Sequence, residues 1–300
     1  MYAYPSKIFA VVVVYNKSVS NSNSIRSLLD SNLSALQIIV VDNSTMQFNN
    51  EVECLNNCIS YISMNGNSGL SKAYNVALDY IQQYSNKNDL IIWFDDDTHL
   101  TKEYFIGLND ALLKNEISDI FVPIIYGQND VIYSPNNAGF LKNKLLKSAE
   151  DIINLKKFNA INSCLAARFH VYENYRYNEN LFLDSVDHNF FDEMRVMKRN
   201  FAVLPIKIRQ NFFQRELCFD IPTVKKRFQI RVIDLMTYSR KGVKYNFLAL
   251  LKAFAWGLLF SWKCKSFSIF FICIRYAFLG FLRNMKYFIL IKKQRGIRTV

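Results

Sequence analysis

Long apolar runs alternate with amphipathic segments along the first two thirds of this 300-residue chain. The first run, residues 8–15, is rich in β-branched side chains and lacks the in-and-out alternation of a half-exposed strand. This predicts a parallel strand covered on both faces. Strands separated by helices over short connections predict an open, mainly parallel α/β sheet flanked by helices. The predicted strands are 8–15, 37–41, 60–64, 90–94, 120–126 and 201–204, and the predicted helices are 22–33, 70–83, 101–114 and 189–199.

The carboxyl ends of the first two predicted strands carry polar side chains. Tyr15 and Asn16 follow the first strand, and Asp42 and Asn43 follow the second. Open α/β sheets bind ligands at this edge, and an aspartate there can accept hydrogen bonds from a nucleobase or a ribose. Taken alone, Asp42 is better explained as the start of a turn, because Asp-Asn-Ser is a favourable turn sequence.

Three consecutive carboxylates, Asp95, Asp96 and Asp97, follow the strand predicted at 90–94. Neighbouring carboxylates repel one another, and a cation or a hydrogen-bonded ligand offsets that repulsion. Hard divalent cations such as Mg2+ favour carboxylate oxygens and often hold substrate phosphates as well. The triplet therefore indicates a metal–diphosphate site. An acidic, solvated turn is an equally good interpretation of the triplet alone.

A glycine-containing loop precedes the helix predicted at 70–83. Asn65, Asn67 and Gly69 lie in this loop, and Asn75 lies one turn into the helix. Glycine permits a close backbone approach, and the amides at a helix N-terminus favour an anion such as a diphosphate. The loop matches neither a Walker motif nor a GxGxxG fingerprint, so a plain helix-entry loop is the alternative.

Charge is distributed very unevenly along the chain. There are 37 Lys and Arg against 25 Asp and Glu, a formal net charge of +12. Residues 225–300 contain 17 of the basic residues and a single acid, Asp234, which leaves residues 1–224 with 20 basic and 24 acidic residues. All of the positive excess therefore lies in the last quarter, which predicts an anionic partner there, either nucleic acid or a lipid surface. We accordingly divide the chain into an α/β domain, 1–224, and a basic helical tail, 225–300.

The tail contains two apolar stretches, residues 246–262 and 267–282, which Lys252 and Arg275 interrupt. Neither stretch reaches the roughly 20 uninterrupted apolar residues of a spanning helix. Flanking Lys and Arg with interspersed aromatic residues are typical of helices in the headgroup plane of an anionic bilayer, so we predict membrane-surface attachment. The alternatives are packing against the rest of the chain, packing against a second copy in a homo-oligomer, and a true span.

Cysteine usage and the first residues bear on the compartment. The six cysteines form no CxxC pair and have no zinc-like spacing to a histidine, which predicts free thiols in a reducing compartment. The N-terminal residues lead directly into a strand without a charged and then apolar leader. Together with the tail, this predicts a cytoplasmic protein that is peripheral on the inner face of the cell membrane.

The polar motifs together resemble those of a family 2 glycosyltransferase with the GT-A fold. Four of them follow the order and spacing of the bacterial rhamnosyltransferase and galactofuranosyltransferase branch: Tyr15-Asn16, Asp42-Asn43-Ser44, the Asn65–Asn75 loop and Asp95-Asp96-Asp97. The resemblance implies that Asp95 and Asp97 bind Mg2+ or Mn2+ on the donor diphosphate. It also implies that a wider set of residues binds the nucleotide-sugar donor: Tyr15, Asn16, Asp42, Asn43, Asn65, Asn67, Gly69, Asn75, Asp95 and Asp96.

The second half of the chain extends the resemblance to an acceptor region. Residues 161–165 and 177–190 are similar to that region of the family. The resemblance implies that Asp187 is the catalytic base, the group that takes the acceptor proton. Asp184 is the reserve candidate or an acceptor-binding group. A helix N-cap is the alternative role for Asp187, since Asp is favoured there.

One position departs from the family pattern. The family often supplies a metal-binding histidine at the end of the strand that follows the base, whereas this chain reads Ile-Arg-Gln-Asn at 208–211. Gln210 or Asn211 can offer an oxygen there, or water can fill the position, because Mg2+ tolerates water ligands well.

The resemblance implies an inverting, metal-dependent glycosyltransferase. The expected donor is dTDP-rhamnose or UDP-galactofuranose. The expected acceptor is a hydroxyl of a lipid-linked glycan in the synthesis of a bacterial surface polysaccharide, such as O-antigen, capsule or cell wall. The tail would place the enzyme on the anionic membrane surface where such an acceptor resides.

Two other classes of protein remain as alternatives. A nucleotidyltransferase has a similar sheet, but it would carry a glycine-rich loop with a basic residue after the first strand, where this chain has Tyr15-Asn16-Lys17-Ser18. A non-catalytic nucleic-acid-binding protein could use the basic tail. The aliphatic surroundings of Trp256 and Trp262 suit lipid better than a phosphate backbone, so we expect no nucleic-acid partner.

Overall fold

The structure, a computed structural model, describes residues 4–31, 33, 35–115, 117–149, 151, 153–210 and 220–296, with side chains to residue 291. Asn211, one of the two candidates for the place of the histidine, lies outside the described residues. The strands are β1 (Ile8–Val14), β2 (Leu36–Asp42), β3 (Ser60–Ser63), β4 (Leu90–Asp95), β5 (Ile120–Tyr126), β6 (Ile132–Ser134), β7 (Asn136–Asn137), β8 (Lys144–Leu145), β9 (Phe158–Asn159), β10 (Leu165–Arg168) and β11 (Phe201–Arg209). The helices are α1 (Asn23–Asp30), α2 (Asn50–Asn56), α3 (Leu70–Ile81), α4 (Lys102–Lys114), α5 (Val186–Val196), α6 (Ile221–Tyr238), α7 (Val243–Lys263) and α8 (Phe267–Gly296).

The central sheet is mainly parallel. Its strands follow the order β11-β5-β10-β4-β1-β2-β3, with β6 beside β5. β1 pairs in parallel with β2 and β4, whereas β10 is antiparallel to both of its neighbours. Phe9, Ala10, Val11 and Val12 of β1 are all fully buried, as expected for a strand covered on both faces. The predicted open, mainly parallel α/β sheet with flanking helices is confirmed.

The register brings the carboxyl ends of several strands to one edge of the sheet. Asp95 of β4 and Asp42 of β2 both lie opposite the last residues of β1. Asp42 in turn lies opposite Ser63 of β3. β11 is parallel to β5, and Gln210 directly after it reaches the side chain of Asp95. Polar residues that are far apart in the sequence therefore meet at this edge.

Several elements differ from the sequence prediction. Helix α2 covers residues for which no element was predicted; Glu51 and Glu53 in its first turn complement the positive end of the helix dipole. Strand β11 continues past the predicted end at 204, and its pairing with β5 shifts register between Val203 and Lys207. Pro205 lies in that interval and cannot donate to the ladder, so an irregularity lets the strand continue past it.

The chain divides into two compact units. Unit 1 comprises Met1–Ala138, Lys144–Glu179 and Asp187–Phe213; unit 2 comprises Gly139–Asn143, Asn180–Val186 and Gln214–Val300. Unit 2 thus takes two short segments from earlier in the chain, and the predicted boundary after 224 stays a prediction. Helix α6 begins before that boundary, because Asp220 caps its start and Pro222 follows in the first turn.

Unit 2 is a helical assembly whose buried contacts use small and amide side chains. On α7 the buried positions include Ala249, Ala253 and Gly257. A Cβ at Gly257 would lie 3.2 Å from Cβ of Cys273 on α8, so glycine permits the close approach of these helices. The side chain of buried Asn284 donates a hydrogen bond to Asn246 over 3.0 Å. Small residues and amide hydrogen bonds between helices are typical of helices that pack in a membrane.

The large apolar side chains of α7 and α8 lie on the outside of unit 2. The exposed ones include Leu251, Phe254 and Trp262 on α7 and Phe271 and Phe278 on α8. By length and composition alone, Val243–Lys263 and Phe267–Ile291 could each cross a membrane. Such a surface is unusual for a soluble monomer, in which exposed apolar residues are normally scattered singly.

Candidate active site

The backbone of the acidic triplet, Asp95 to Asp97, is held by the start of α1. Ser22 and Asn23 donate side-chain hydrogen bonds to the carbonyl oxygens of the second and third triplet residues, over 2.7 and 3.3 Å. Ser24 donates to the first triplet carbonyl and accepts from the amide of Thr98 over 3.1 Å. These bonds satisfy the turn backbone from outside the strand, so the carboxylates are not needed to cap it.

The three carboxylates have unequal electrostatic surroundings. Lys17 Nζ lies 2.6 Å from Asp96 Oδ1, which gives that carboxylate a counter-ion. Burial, followed by the charge of Asp97, raises the pKa of Asp95 to about 6. Burial and the charge of Asp96 raise the pKa of Asp97, against the opposing effect of Lys17. Asp95 and Asp97 therefore remain a pair of carboxylates that a further cation would stabilise.

Gln210 completes this cluster from the end of β11. Its backbone amide donates to the carbonyl of Tyr126 over 3.0 Å, which continues the pairing of β11 with β5. Its side-chain Nε2 donates to Oδ2 of Asp95. Its Oε1 is buried and has no hydrogen-bond partner among the described residues. A buried amide oxygen without a partner costs free energy, which indicates a ligand other than the residues that the structure describes.

The oxygens at this edge fit a hard divalent cation. Asp95, Asp97 and Gln210 offer two carboxylates and an amide oxygen, the ligand types that Mg2+ and Mn2+ prefer. Within the described ranges, no three His, Cys, Asp or Glu residues are arranged to hold a metal by themselves. This is compatible with Mg2+, which usually keeps water and substrate phosphate oxygens as ligands and takes only one or two carboxylates from the protein.

Asp42 lies at the same edge, in a polar pocket of its own. Its carboxylate is buried and accepts hydrogen bonds from the Ser44 amide, Asn50 Nδ2 and Tyr61 hydroxyl, over 3.0, 2.8 and 3.1 Å. A carboxylate has about four lone-pair positions, so one remains for a nucleoside. The turn role weighed for Asp42 is present, since the Ser44 contact closes an Asx-type turn.

Asn43 joins the end of β2 to the loop before α3. Its Nδ2 donates to Asn67 Oδ1 over 3.1 Å, and its Oδ1 accepts from the Ser68 amide over 2.8 Å. Asn67 Oδ1 also accepts from the amide of Gly69 over 3.2 Å. Gly69 has a φ of 90° and precedes α3, a conformation that disfavours any residue with a Cβ. The two asparagines thus shape the loop from both sides.

Four of the predicted donor residues differ in their burial and in their hydrogen bonds to the rest of the chain. Tyr15 and Asn65 are exposed at the edge. Asn16 Oδ1 accepts from the amides of Thr45 and Met46 over 2.9 and 3.1 Å, which ties together two loops. Asn75 is buried, and its amide bonds to residues 177–179. Both of its amide hydrogens are used there, and the predicted role of Asn75 in donor binding stays a prediction.

Asp187 lies in the first turn of α5 and is half-buried. The buried phenol of Tyr74 connects it to the acidic triplet electrostatically. Burial raises the pKa of Tyr74 most, and the negative charges of Asp95 and Asp187 both raise it further. Both carboxylates are therefore close enough to one phenol to perturb it, which brings the predicted base towards the predicted metal ligands.

Asp184, the reserve candidate for the base, belongs to unit 2 and is ion-paired there. Arg227 on α6 contacts both of its carboxylate oxygens, with Nη2 2.9 Å from Oδ1. The amides of Phe182, Leu183 and Asp184 all donate to the buried carboxylate of Asp234. Both oxygens of the Asp184 carboxylate are therefore already engaged in a bidentate ion pair.

Sequence reasoning missed some of the residues that organise this site. Lys17 was considered only as an argument against a phosphate loop, and the polar run Ser22-Asn23-Ser24 only as a helix start. Their contacts with the triplet depend on strand order, which places β1 beside β4. The polar run was the available signal, since consecutive Ser and Asn residues at a helix start often bond to backbone groups.

The sheet and the carboxylates at its edge define a nucleotide-sugar-dependent transferase of the GT-A type. The family model described as "Glycosyl transferase family 2" matches residues 9–176, more than half of the chain. The chain therefore belongs to glycosyltransferase family 2 and is a glycosyltransferase. The matched region contains every predicted donor residue and the predicted metal ligands Asp95 and Asp97, and it ends before α5 and Gln210.

Individual relatives support the same assignment at greater distance. The chain is 28% identical over 131 residues to a dTDP-rhamnosyl transferase, RfbF, of Shigella flexneri, a match that spans 43% of this chain and 42% of that protein. The chain thus matches about two fifths of the length of this curated relative.

Solved structures confirm the GT-A fold. The mannosyltransferase PcManGT of Pyrobaculum calidifontis, in complex with GDP-Man and Mn2+, has a TM-score of 0.54 at 11% identity, over 94% of this chain and 88% of that one. S. aureus TarS 1-349 has a TM-score of 0.50 at 15% identity, over 91% and 92% of the two chains.

Proposed function

We propose that this protein is an inverting glycosyltransferase that uses a divalent metal, Mg2+ or Mn2+, to bind a nucleotide-diphosphate sugar. The observation that carries the proposal is the cluster of Asp95, Asp97 and the buried, unpartnered oxygen of Gln210 at the carboxyl edge of the sheet. A bound cation would stabilise the charged form of both carboxylates, whose pKa is raised, and would give the buried oxygen of Gln210 a partner. The solved relative that contains Mn2+ together with GDP-Man supports the same chemistry.

Different residues of the chain would bind the donor and activate the acceptor. Asp95, Asp97 and Gln210 would hold the metal, Asp96 would contact the donor sugar or ribose, and Asp42 would accept a hydrogen bond from the nucleoside. A bound metal supplies positive charge that stabilises the departing diphosphate. Asp187 takes the proton of the acceptor hydroxyl, whose oxygen forms the new bond to the anomeric carbon while the bond from that carbon to the diphosphate breaks.

The donor is proposed to be dTDP-rhamnose, with UDP-galactofuranose second. The relationship to the dTDP-rhamnosyl transferase favours the former. A panel of both donors with UDP-hexoses, each with Mn2+ or with EDTA, would be scored by release of the nucleoside diphosphate. We expect metal-dependent release from dTDP-rhamnose and none with EDTA. Equal release in EDTA would overturn the metal assignment, and no release from any donor would overturn the activity.

The acceptor is proposed to be a hydroxyl of a lipid-linked glycan in surface-polysaccharide synthesis, reached from the inner face of the membrane. Support comes from unit 2, whose outer apolar side chains would be buried by a bilayer. The basic residues of the tail would add attraction to anionic headgroups. Lys252 does not oppose this, because its ammonium already donates a hydrogen bond to the carbonyl of Phe140 and is half-buried.

Membrane docking can be tested on the full chain with two leucines of matched exposure. Leu251 on α7 is 62% exposed, and Leu113 on α4 of unit 1 is 61% exposed. Leu251→Asp should reduce sedimentation with vesicles of phosphatidylcholine and phosphatidylglycerol, whereas Leu113→Asp should not. Equal sedimentation of the two variants would remove the docking proposal and leave the transfer reaction untouched.

A further inference from the structure

Two basic side chains of unit 2 converge on one indole ring. The guanidinium carbon of Arg231, on α6, lies 4.2 Å from the ring centroid of Trp256 on α7. Lys252 Nζ lies 5.2 Å from the same centroid, and it donates a hydrogen bond to the carbonyl of Phe140 over 2.7 Å. Two cations thus lie close to one indole ring, and both are half-buried.

Neither cation has a carboxylate to balance it. Among the described residues, no acid lies within 4.0 Å of Arg231 or Lys252, and the guanidinium of Arg231 donates to no oxygen there. The nearby carboxylate of Asp184 is held through both oxygens by Arg227. Desolvated charges are normally paired, because an unpaired one loses hydration without a compensating contact.

Burial lowers the pKa of both groups, and repulsion by Arg231 adds to this effect at Lys252. Burial and then the charge of Arg231 lower the pKa of Lys252 to about 8. Burial also lowers the pKa of Arg231, although Asp184 opposes that effect. An anion between these side chains would relieve both the repulsion and the lost hydration. Arg231 and Lys252 thus form a cluster of like charges, as the acidic triplet does, but with positive instead of negative charge.

The surroundings of the pair on α7 are apolar and accessible. Leu259 lies about one turn beyond Trp256 and two turns beyond Lys252 on the same side of α7, and it is 47% exposed. A ligand bound at the pair would therefore have hydrocarbon surface beside its charged group. Two adjacent cations match a dianion, and a guanidinium offers several donors to phosphate oxygens. The chemistry that satisfies both features is an amphiphile with a phosphate monoester or diphosphate headgroup.

We propose that Arg231 and Lys252, stacked on Trp256, form a binding site for the phosphate monoester or diphosphate headgroup of a membrane lipid. A lipid-linked acceptor would carry such a headgroup, so the role of the lipid as an acceptor rests on the proposed function. The existence of the site does not depend on that function, because the site lies entirely within unit 2. The lipid chain would run over the exposed apolar residues of α7.

The test measures sedimentation of the full chain with phosphatidylcholine vesicles that contain either phosphatidic acid, a monoester, or phosphatidylglycerol, a diester, at matched surface charge. Wild type should prefer phosphatidic acid by about tenfold, the size expected for one charge-assisted contact. Arg231→Gln and Lys252→Gln should each abolish this preference. Arg275→Gln and Lys263→Gln remove the same charge from exposed positions of α8 and α7 and should leave the preference intact.

A competition experiment distinguishes binding of a lipid phosphate from binding of free phosphate. Farnesyl diphosphate should displace the protein from phosphatidic acid vesicles, and inorganic pyrophosphate at equal concentration should not. Displacement by both would assign the site to free phosphate and overturn the lipid proposal. The lipid proposal would also be overturned if wild type showed no preference for phosphatidic acid, or if Arg231→Gln and Arg275→Gln lost that preference equally. Either result would indicate a general attraction to anionic surfaces.

Two further measurements keep these outcomes interpretable. Circular dichroism melting shows whether a variant is folded, and Arg231→Lys, which keeps the charge but loses the planar group, should show an intermediate preference. Binding of dTDP to the same samples reports on unit 1 alone. Loss of nucleotide binding with normal lipid preference would count against the glycosyltransferase proposal, and the reverse result would count against the lipid site only.

Discussion

The side-chain amide of Gln210 donates a hydrogen bond to the carboxylate of Asp95, across a separation of 115 residues. The other half of that amide, Oε1, is buried without a partner in the described part of the chain. Gln210 therefore already orients one carboxylate of the proposed metal site and has an oxygen available beside it. It occupies the place at the end of β11 where the family often has a histidine, and it offers a harder ligand than imidazole.

Replacing Gln210 with Leu should weaken metal binding while keeping the fold. The substitution removes both the contact that orients Asp95 and the amide oxygen, and it keeps most of the side-chain volume. We expect about a tenfold loss of Mn2+ affinity, comparable to losses when metal-site contacts are removed. The measurement is a titration of Mn2+ followed by electron paramagnetic resonance in the presence of dTDP.

A histidine at the same position tests the ligand role directly. Gln210→His should recover affinity for Mn2+ relative to Gln210→Leu, because it restores a ligand atom at the position where the family often has a histidine. Gln83→Leu, at an exposed position of unit 1, is the control and should bind like wild type. Unchanged affinity in Gln210→Leu would remove this residue from the metal site.

Asp95 should cost the metal-free protein stability at neutral pH. Its pKa in the folded state is about 6, above its ordinary value, so the folded state binds the proton more tightly than the unfolded state does. Its contribution is favourable at low pH and is lost as the pH rises through 6. Asp95→Asn should therefore raise the free energy of unfolding at pH 8 by about 2 kcal/mol and have little effect at pH 4.

Urea unfolding with EDTA present checks this pH dependence. Asp96→Asn is the matched variant in the same triplet, and it should not be stabilising at pH 8 because it loses the ion pair with Lys17. Adding Mn2+ and dTDP should reverse the order and stabilise wild type over Asp95→Asn. A gain of the same size at both pH values would show that the carboxylate charge is not its cause.

The sequence predicted the sheet because its pattern is local: β1 and β4 are continuous apolar runs, and each run can be interpreted without knowing its neighbours. It also predicted the acidic triplet, since three adjacent carboxylates are visible in one window. The ion pair of Lys17 with Asp96 and the bond of Gln210 to Asp95 could not be predicted in this way. Both depend on the order of strands in the sheet, which the local pattern does not specify.

The tail shows the same limit of prediction from a local sequence pattern. Its composition predicted helices, and α7 and α8 are present, but which charges face inwards depends on packing. Asp234 is the single acid of residues 225–300, and the charge count alone gave it no role. In the structure it is fully buried and accepts three backbone hydrogen bonds from residues 182–184, which belong to the same compact unit.

Asparagine substitutions at Asp187 and Asp184 should separate chemistry from stability. Asp187→Asn removes the proposed base, so kcat should fall by roughly 10²- to 10⁴-fold while dTDP affinity stays unchanged. Asp184→Asn removes the partner of Arg227, so it should lower the thermal midpoint while the folded fraction retains most of its turnover. Donor titration and initial rates on the same preparations provide both quantities.

A specific set of results would contradict the assignment of Asp187 as the base. If Asp187→Asn keeps near wild-type turnover and Asp184→Asn loses it without a change in stability, the two roles must be exchanged. A rate loss in Asp187→Asn accompanied by weaker dTDP binding would instead indicate that this carboxylate supports the donor site. Rescue of neither variant by added metal is expected, since the proton acceptor is missing in one and an ion pair in the other.

Asp234→Ala should be among the more destabilising single substitutions in unit 2. The amides of Phe182, Leu183 and Asp184 would all lose their acceptor, and buried donors without partners are costly. We expect the free energy of unfolding to fall by about 3 kcal/mol or more, measured by urea denaturation. Asp220→Ala removes an ordinary N-cap at the start of the same helix and should cost only about 1 kcal/mol. Asp234→Asn, which keeps one acceptor oxygen, should lie between them, and an equal cost for Asp234→Ala and Asp220→Ala would contradict the role of Asp234 as a triple acceptor.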